Sequence, residues 1–150
     1  MRAKRPLLSL ILSLLLLTSS GLAQRVGAHL QKPPLVSLCE VIAHPIDFSG
    51  KIVRFRANAV TDGYEYASLI DPRCQGGVSP WSAGDTDEHP DVKAFNEAFE
   101  AQKSGFPHQR IQAVFTGHFV YDSMENNASR RKKFEIVEVA DLKVSTDRPD

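Results

Sequence analysis

The stretch SLCEVIAHPIDFSGKIVRFRANAV, residues 37–60, decides the fold. In its second half Val53, Phe55, Ala57 and Ala59 alternate with Arg54, Arg56 and Asn58. Strict alternation puts one residue set on each face of a strand, so Lys51–Thr61 is expected to be a strand with one apolar and one wet side. Its first half predicts a short helix over Leu38–Ala43. Ser37 stands at the N-cap, and Leu38, Val41 and Ile42 share a face. Pro45 is expected to end that helix, and Ser49-Gly50 to turn the chain into the strand.

Outward from this stretch the pattern continues. Asp62-Gly63 is a hairpin signal because both residues tolerate positive φ, and Tyr64–Ile70 reads as the return strand, closed by Asp71-Pro72. A short strand fits around Val78–Trp81 within the Gly-, Ser- and Asp-rich segment 75–89. Pro90 opens a helix to Lys103 with Val92, Phe95 and Phe99 on one face, and Gly105 and Pro107 follow it. Arg110–Asp122 is a long strand with Ile111, Ala113, Phe115, Phe119 and Tyr121 on one side and Gln112, Thr116 and His118 on the other. After a polar hairpin loop comes the last strand, Lys133–Val144. There the alternation slips: Phe134 and Ile136 have one parity, Val137 and Val139 the other. A β-bulge accounts for such a slip.

Strand, strand, short strand, helix, strand, strand is the order of a five-stranded Greek-key barrel. The opening stretch, with its short helix, Pro, turn Gly and Gly-Lys-x-Val strand entry, resembles small exported bacterial proteins of the OB fold. The closing stretch FEIVEVADLKV, residues 134–144, resembles their last strand. The likeness is strongest at residues 36–60 and 134–144. It implies a mainly β domain over residues 35–145, an OB-like barrel with a short N-terminal helix and one helix between the third and fourth strands. The Gly expected in the first strand is replaced by Ala57 or Ala59. The likeness implies no single function, because OB barrels host many.

The N-terminus has its own signature. Arg2, Lys4 and Arg5 precede an apolar run from Leu7 to Leu17, and Gly21-Leu22-Ala23 ends the segment. A basic start, a short apolar run and a small-residue exit describe a secretory signal peptide over residues 1–23, cleaved near Ala23. The run falls short of the ~20 residues a membrane-spanning helix needs. The expected destination is the periplasm or the exterior. Residues 24–34, with Pro33-Pro34, read as a flexible lead-in, and 146–150 as a disordered tail. Eighteen basic side chains balance eighteen acidic ones; without Arg2, Lys4 and Arg5 there are 15 against 18, a net charge of −3. That balance argues against nucleic acid as a partner. A monomer with no cofactor is expected, meeting a protein or small ligand of the cell envelope.

Cys39 and Cys74 are the two cysteines of the chain. In an oxidising compartment they are expected to form a disulfide, which by chain entropy stabilises the fold by about 3–4 kcal/mol. No C-x-x-C or neighbouring histidine suggests redox or metal chemistry at either.

The candidates for chemistry are few. Asp85, Asp87 and His89 alternate along an acidic loop in a way that can surround a hard cation, and His118 could join them in a metal-dependent hydrolase. The loop lacks the Gly and the bidentate Glu of an EF-hand, so it also reads as a solvated lead into the next helix. Five histidines show no H-x-x-x-H spacing, and no G-x-S-x-G or Gly-rich phosphate loop occurs. Asn127-Ala128-Ser129 is a chance sequon beside a bacterial-type leader. Tyr64, Tyr66 and Trp81, with Arg54, Arg56, Arg73 and His118, make a candidate ligand-binding set. Aromatics interleaved with Arg stack flat groups, although Tyr66 and Trp81 are also residue types expected to cap a core. The expectation is a non-enzymatic binding module, with an envelope interaction domain as the alternative.

Overall fold

The computed structural model describes residues 32–61, 66–103 and 109–146. The leader, most of the lead-in, the Asp62-Gly63 turn, Tyr64, the segment after Lys103 with His108, and residues 147–150 lie outside them. In chain order the elements are β1 (Leu35–Val36), α1 (Leu38–Ala43), α2 (Pro45–Phe48), β2 (Ile52–Thr61), β3 (Ala67–Ile70), β4 (Gly77–Ser82), α3 (Pro90–Lys103), β5 (Gln109–Tyr121) and β6 (Lys132–Thr146). A 3₁₀ turn, Ala128–Arg130, precedes β6.

The strands run in the order β1-β2-β3-β4-β6-β5, and β2 pairs again with β5. That last pairing closes β2, β3, β4, β6 and β5 into a ring. β4 and β6 pair in parallel, and the other pairings of the ring are antiparallel. The protein is therefore the mainly β, OB-like barrel expected, with helices added to it. α1 covers the residues predicted for it, and backbone N–H groups of Glu40 and Val41 donate to Ser37 O. α1 ends at Ala43, just before Pro45, as expected, but Pro45 does not turn the chain straight toward the strand. It starts α2 at the first helical position, where its missing N–H costs nothing. β1, too short to show a pattern, pairs in parallel with Arg54 and Phe55 of β2. β3 begins at Ala67, so Tyr66 stands just before the return strand. β6 continues through Thr146, which pairs with Gln109, so residue 146 belongs to the sheet and not to a tail.

The apolar sides of these strands form one core. Val53, Phe55, Ala57 and Ala59 of β2 are buried with Ile111, Ala113, Phe115 and Phe119 of β5 and with Phe134, Ile136 and Val139 of β6. The Phe55 ring lies 4.7 Å from that of Phe134 and 6.4 Å from that of Phe115. α3 adds Val92, Phe95 and Phe99, with Phe95 edge-on to Phe115 at 5.1 Å. α1 adds Leu38 and Val41.

The slip in β6 is a pair of register shifts. Thr116 pairs with Glu138 and Gly117 with Ile136, so Val137 is the extra residue and points outward. Farther on, Gln112 pairs with Lys143 and Val114 with Ala140, leaving two residues of β6 against Ala113. One of the two is Asp141, at φ 53°, the left-handed backbone that such a bulge uses. Gly117 sits where β5 and β6 approach most closely. A Cβ there would run into Glu135 O and the Phe134 ring. Helix and bulge are tied together, since Val139 N donates to Asp91 Oδ2 of α3 at 2.7 Å.

Phe55 is the side chain these rings share. Phe55→Ala is expected to lower stability by about 3–5 kcal/mol through lost transfer energy and the cavity left behind. Urea denaturation of variant and parent measures this, with a fall in the midpoint at unchanged slope.

Candidate functional site

The alternation of β2 sends Arg54, Arg56 and Asn58 to the outer surface, and the short β3 leaves part of that strand uncovered. β1 pairs with β2 at residues 54–55 and β3 pairs at 58–61. Arg56 and Ala57 fall in the interval between them. Two concavities open there, of about 310 Å³ and about 290 Å³. The larger is floored by Arg56, Ala57 and Asn58 of β2 and Gln112 of β5. Its wall is Ile70 and the following turn, Asp71-Pro72-Arg73. The smaller is walled by Leu35, Val36, Ser37 and Leu38. Arg56 and Arg73 line both. The two adjoin at these arginines and are taken together as one cleft, with Leu35–Leu38 on one side and Ile70 and Pro72 on the other.

Both arginines are held by carboxylates. Arg73 grips Asp71 in a fork: Nη2 donates to Oδ2 at 2.6 Å and Nε to Oδ1 at 3.0 Å, and the Arg73 backbone N–H adds a bond of 3.0 Å to Oδ1. The Asp71 side chain is buried and that of Arg73 exposed. Hydrogen bonds from the guanidinium, and then from the backbone N–H, hold the Asp71 carboxyl below its usual range, against the opposing effect of burial. Arg56 Nη2 donates to Asp141 Oδ2 at 2.9 Å. In the sheet Arg56 pairs with Val114, and Val114 with Ala140, the neighbour of Asp141. The ion pair thus reaches across β5 at Val114, an outward residue that is only 2% exposed. Asn58 and Gln112 are joined as well, Gln112 Nε2 donating to Asn58 Oδ1 at 3.3 Å. With these bonds made, Arg56 keeps Nε, Nη1 and the second N–H of Nη2 as donors, and Arg73 keeps Nη1 and the second N–H of Nη2, since a guanidinium carries five N–H groups. The cleft offers directed donors between apolar walls and little net charge.

The disulfide borders this site. Cys39 and Cys74 are bonded, with Cα atoms 5.5 Å apart. Cys39 follows Leu38 of one wall and Cys74 follows Arg73 of the other.

The structure divides the sequence candidates. It brings Arg56 and Arg73 into one cleft. Arg54 is on the same face of β2 but lines neither concavity. Tyr66 and Trp81 do not cap the core: both are exposed, Tyr66 standing before β3 begins and Trp81 having the parity opposite to that of Val78, which points inward. Trp81 lies elsewhere, in a cross-strand row. It pairs with Glu135, Glu135 with His118, and His118 with Ile52. Val120 and Val137, both exposed, border the same row.

Asp85, Asp87 and His89 occupy the turns before α3. Asp87 Oδ1 accepts from Asn96 Nδ2 at 2.9 Å, and Thr86 is bound to Ala83 O. Among the described residues no group of three or more His, Cys, Asp or Glu side chains is placed to hold a metal ion, so the geometry does not gather this loop or His118 into a metal centre. Sequence reasoning missed Asp71, Asn58, Gln112 and Asp141. The Asp-x-Arg spacing at 71–73 was the available signal for the first. The others need the sheet register.

The lowered Asp71 pKa makes stability depend on pH. The bonds to Arg73 stabilise the fold fully above the ordinary Asp value of 3.8, and this contribution is lost as pH falls through the depressed folded value. Asp71→Asn is expected to melt below the parent at pH 7, with the gap closing as pH drops below about 4. Melting temperatures of both proteins at pH 7, 5, 4 and 3 measure it. Comparison of the chain with protein families, with curated proteins and with solved structures finds no match.

Proposed function

We propose that this protein is a non-enzymatic OB-like binding module of the cell envelope that takes its ligand in the cleft around Arg56 and Arg73. The observation that carries this reading is the convergence of two concavities on the same two guanidinium groups. Each guanidinium is fixed by a carboxylate, so its remaining donors are oriented before any ligand arrives, which lowers the entropic cost of binding. The ligand suited to such a cleft is elongated, carries hydrogen-bond acceptors near its middle, and has apolar ends to lie against Leu35 and Val36 on one side and Ile70 and Pro72 on the other. The leader-like N-terminus and the disulfide support an exported setting. Among the described residues no helix is long and apolar enough to cross a membrane.

A second reading has its own observation. The row of Trp81, His118 and Ile52, with Val120 and Val137 beside it, exposes apolar side chains across four strands. Exposed apolar clusters rimmed by charge mark protein-interaction surfaces, and this one fits an envelope partner that needs no small ligand.

Two measurements separate the readings. Native mass spectrometry of protein purified from envelope extract is expected to show a retained small molecule, lost in Arg73→Ala; bare protein in both samples counts against the cleft. Trp81 is the one tryptophan of the chain and lines neither concavity. Its quenching by acrylamide is therefore expected to be unchanged by a cleft ligand and strongly reduced by a partner on the exposed row.

A further inference from the structure

Apart from Ile70, the last residue of β3, the walls of the cleft lie outside the strands of the ring. One wall hangs on β1, a two-residue strand, and on the six-residue α1. The other is the turn after β3, outside any strand, where Pro72 and Arg73 are exposed. The backbone pairing of β2, β3, β4, β6 and β5 closes without either wall. The bond from Cys39 to Cys74 joins them covalently, one residue beyond Leu38 on one side and one beyond Arg73 on the other. Both cysteines are only partly buried, so the bond is open to a reagent.

We propose that this disulfide is a redox latch on the cleft. When oxidised, it holds Arg73 and the Leu35–Leu38 wall on either side of Arg56. When reduced, it frees the two walls from each other, with Leu38 and Val41 still seated in the core and the barrel closed. This rests on the cleft being the ligand site. The reductant is an exported dithiol protein. Its thiolate attacks one sulfur and forms a mixed disulfide, and its second thiol then displaces that sulfur. Cys39 and Cys74 leave as two thiols, taking up two electrons and two protons, and the dithiol becomes the disulfide. Exchange at this bond sets whether the two halves of the cleft face each other, so ligand is retained in the oxidised form and released from the reduced one.

Amide hydrogen exchange on the oxidised protein and on protein reduced with a phosphine tests the latch without a ligand, so its failure is separable from failure of the ligand-retention experiment. Amides in 35–43 and 73–77 are expected to exchange at least ~10-fold faster after reduction, with β5 and β6 unchanged, as for local opening beside an intact core. The double variant Cys39→Ala, Cys74→Ala is expected to reproduce the reduced pattern. Unchanged protection in both walls overturns the latch. So does loss of protection throughout β5 and β6, which would make the bond a staple of the barrel itself.

Discussion

Everything in this molecule depends on how β5 and β6 coil. A five-stranded ring closes only if its long strands bend far enough for β2 to meet β5, and a regular ladder does not bend that sharply. Two register shifts in β6, at Val137 and at Asp141-Leu142, supply the curvature. Gly117 lets the strands approach where Glu135 and Phe134 crowd the backbone. The same irregularity positions other parts. Val139 N, just past the first bulge, binds Asp91 and seats α3, while Asp141, at the second, binds Arg56 and fixes one guanidinium of the cleft. Curvature, helix placement and site geometry share one cause.

The cleft follows from a mismatch in strand length. β2 spans ten residues and β3 four, so one edge of β2 is left for β1 to share, with an interval at Arg56 and Ala57. A longer β3 would cover that interval with backbone and leave no concavity. In the barrel, then, ring closure provides rigidity and incomplete pairing provides the site. The two arginines have structural as well as binding potential, because each satisfies a carboxylate the fold has placed.

Local patterns in the chain carried much of this architecture. The alternation in β2, the apolar face of α3 and the parity slip between Ile136 and Val139 are short-range signals, and each corresponds to an observed feature. What was not legible depends on partners distant in sequence. Two residues cannot show a period, so β1 was invisible. Pro45 has the same fixed φ whether it breaks one helix or begins another, and only the backbone after it decides. Trp81 and Tyr66 are residue types common in cores, and their exposure follows from strand parity set by Val78 for Trp81 and from the late start of β3 for Tyr66. Arg56 and Asp141 are 85 residues apart, and nothing short of the β5–β6 register predicts their meeting.

The position of the disulfide in the chain order has a consequence for assembly. The loop it closes contains α2, β2 and β3, and β5 and β6 lie wholly beyond it. As the chain emerges N-terminus first, both sulfurs are available before the strands that complete the ring. The bond ties α1 to the turn after β3, around the β2–β3 pair, and leaves open the edge of β2 that β5 takes. The order of emergence thus favours β2 meeting β3 first, before β5 and β6 arrive to fill the remaining edges of β2 and β4.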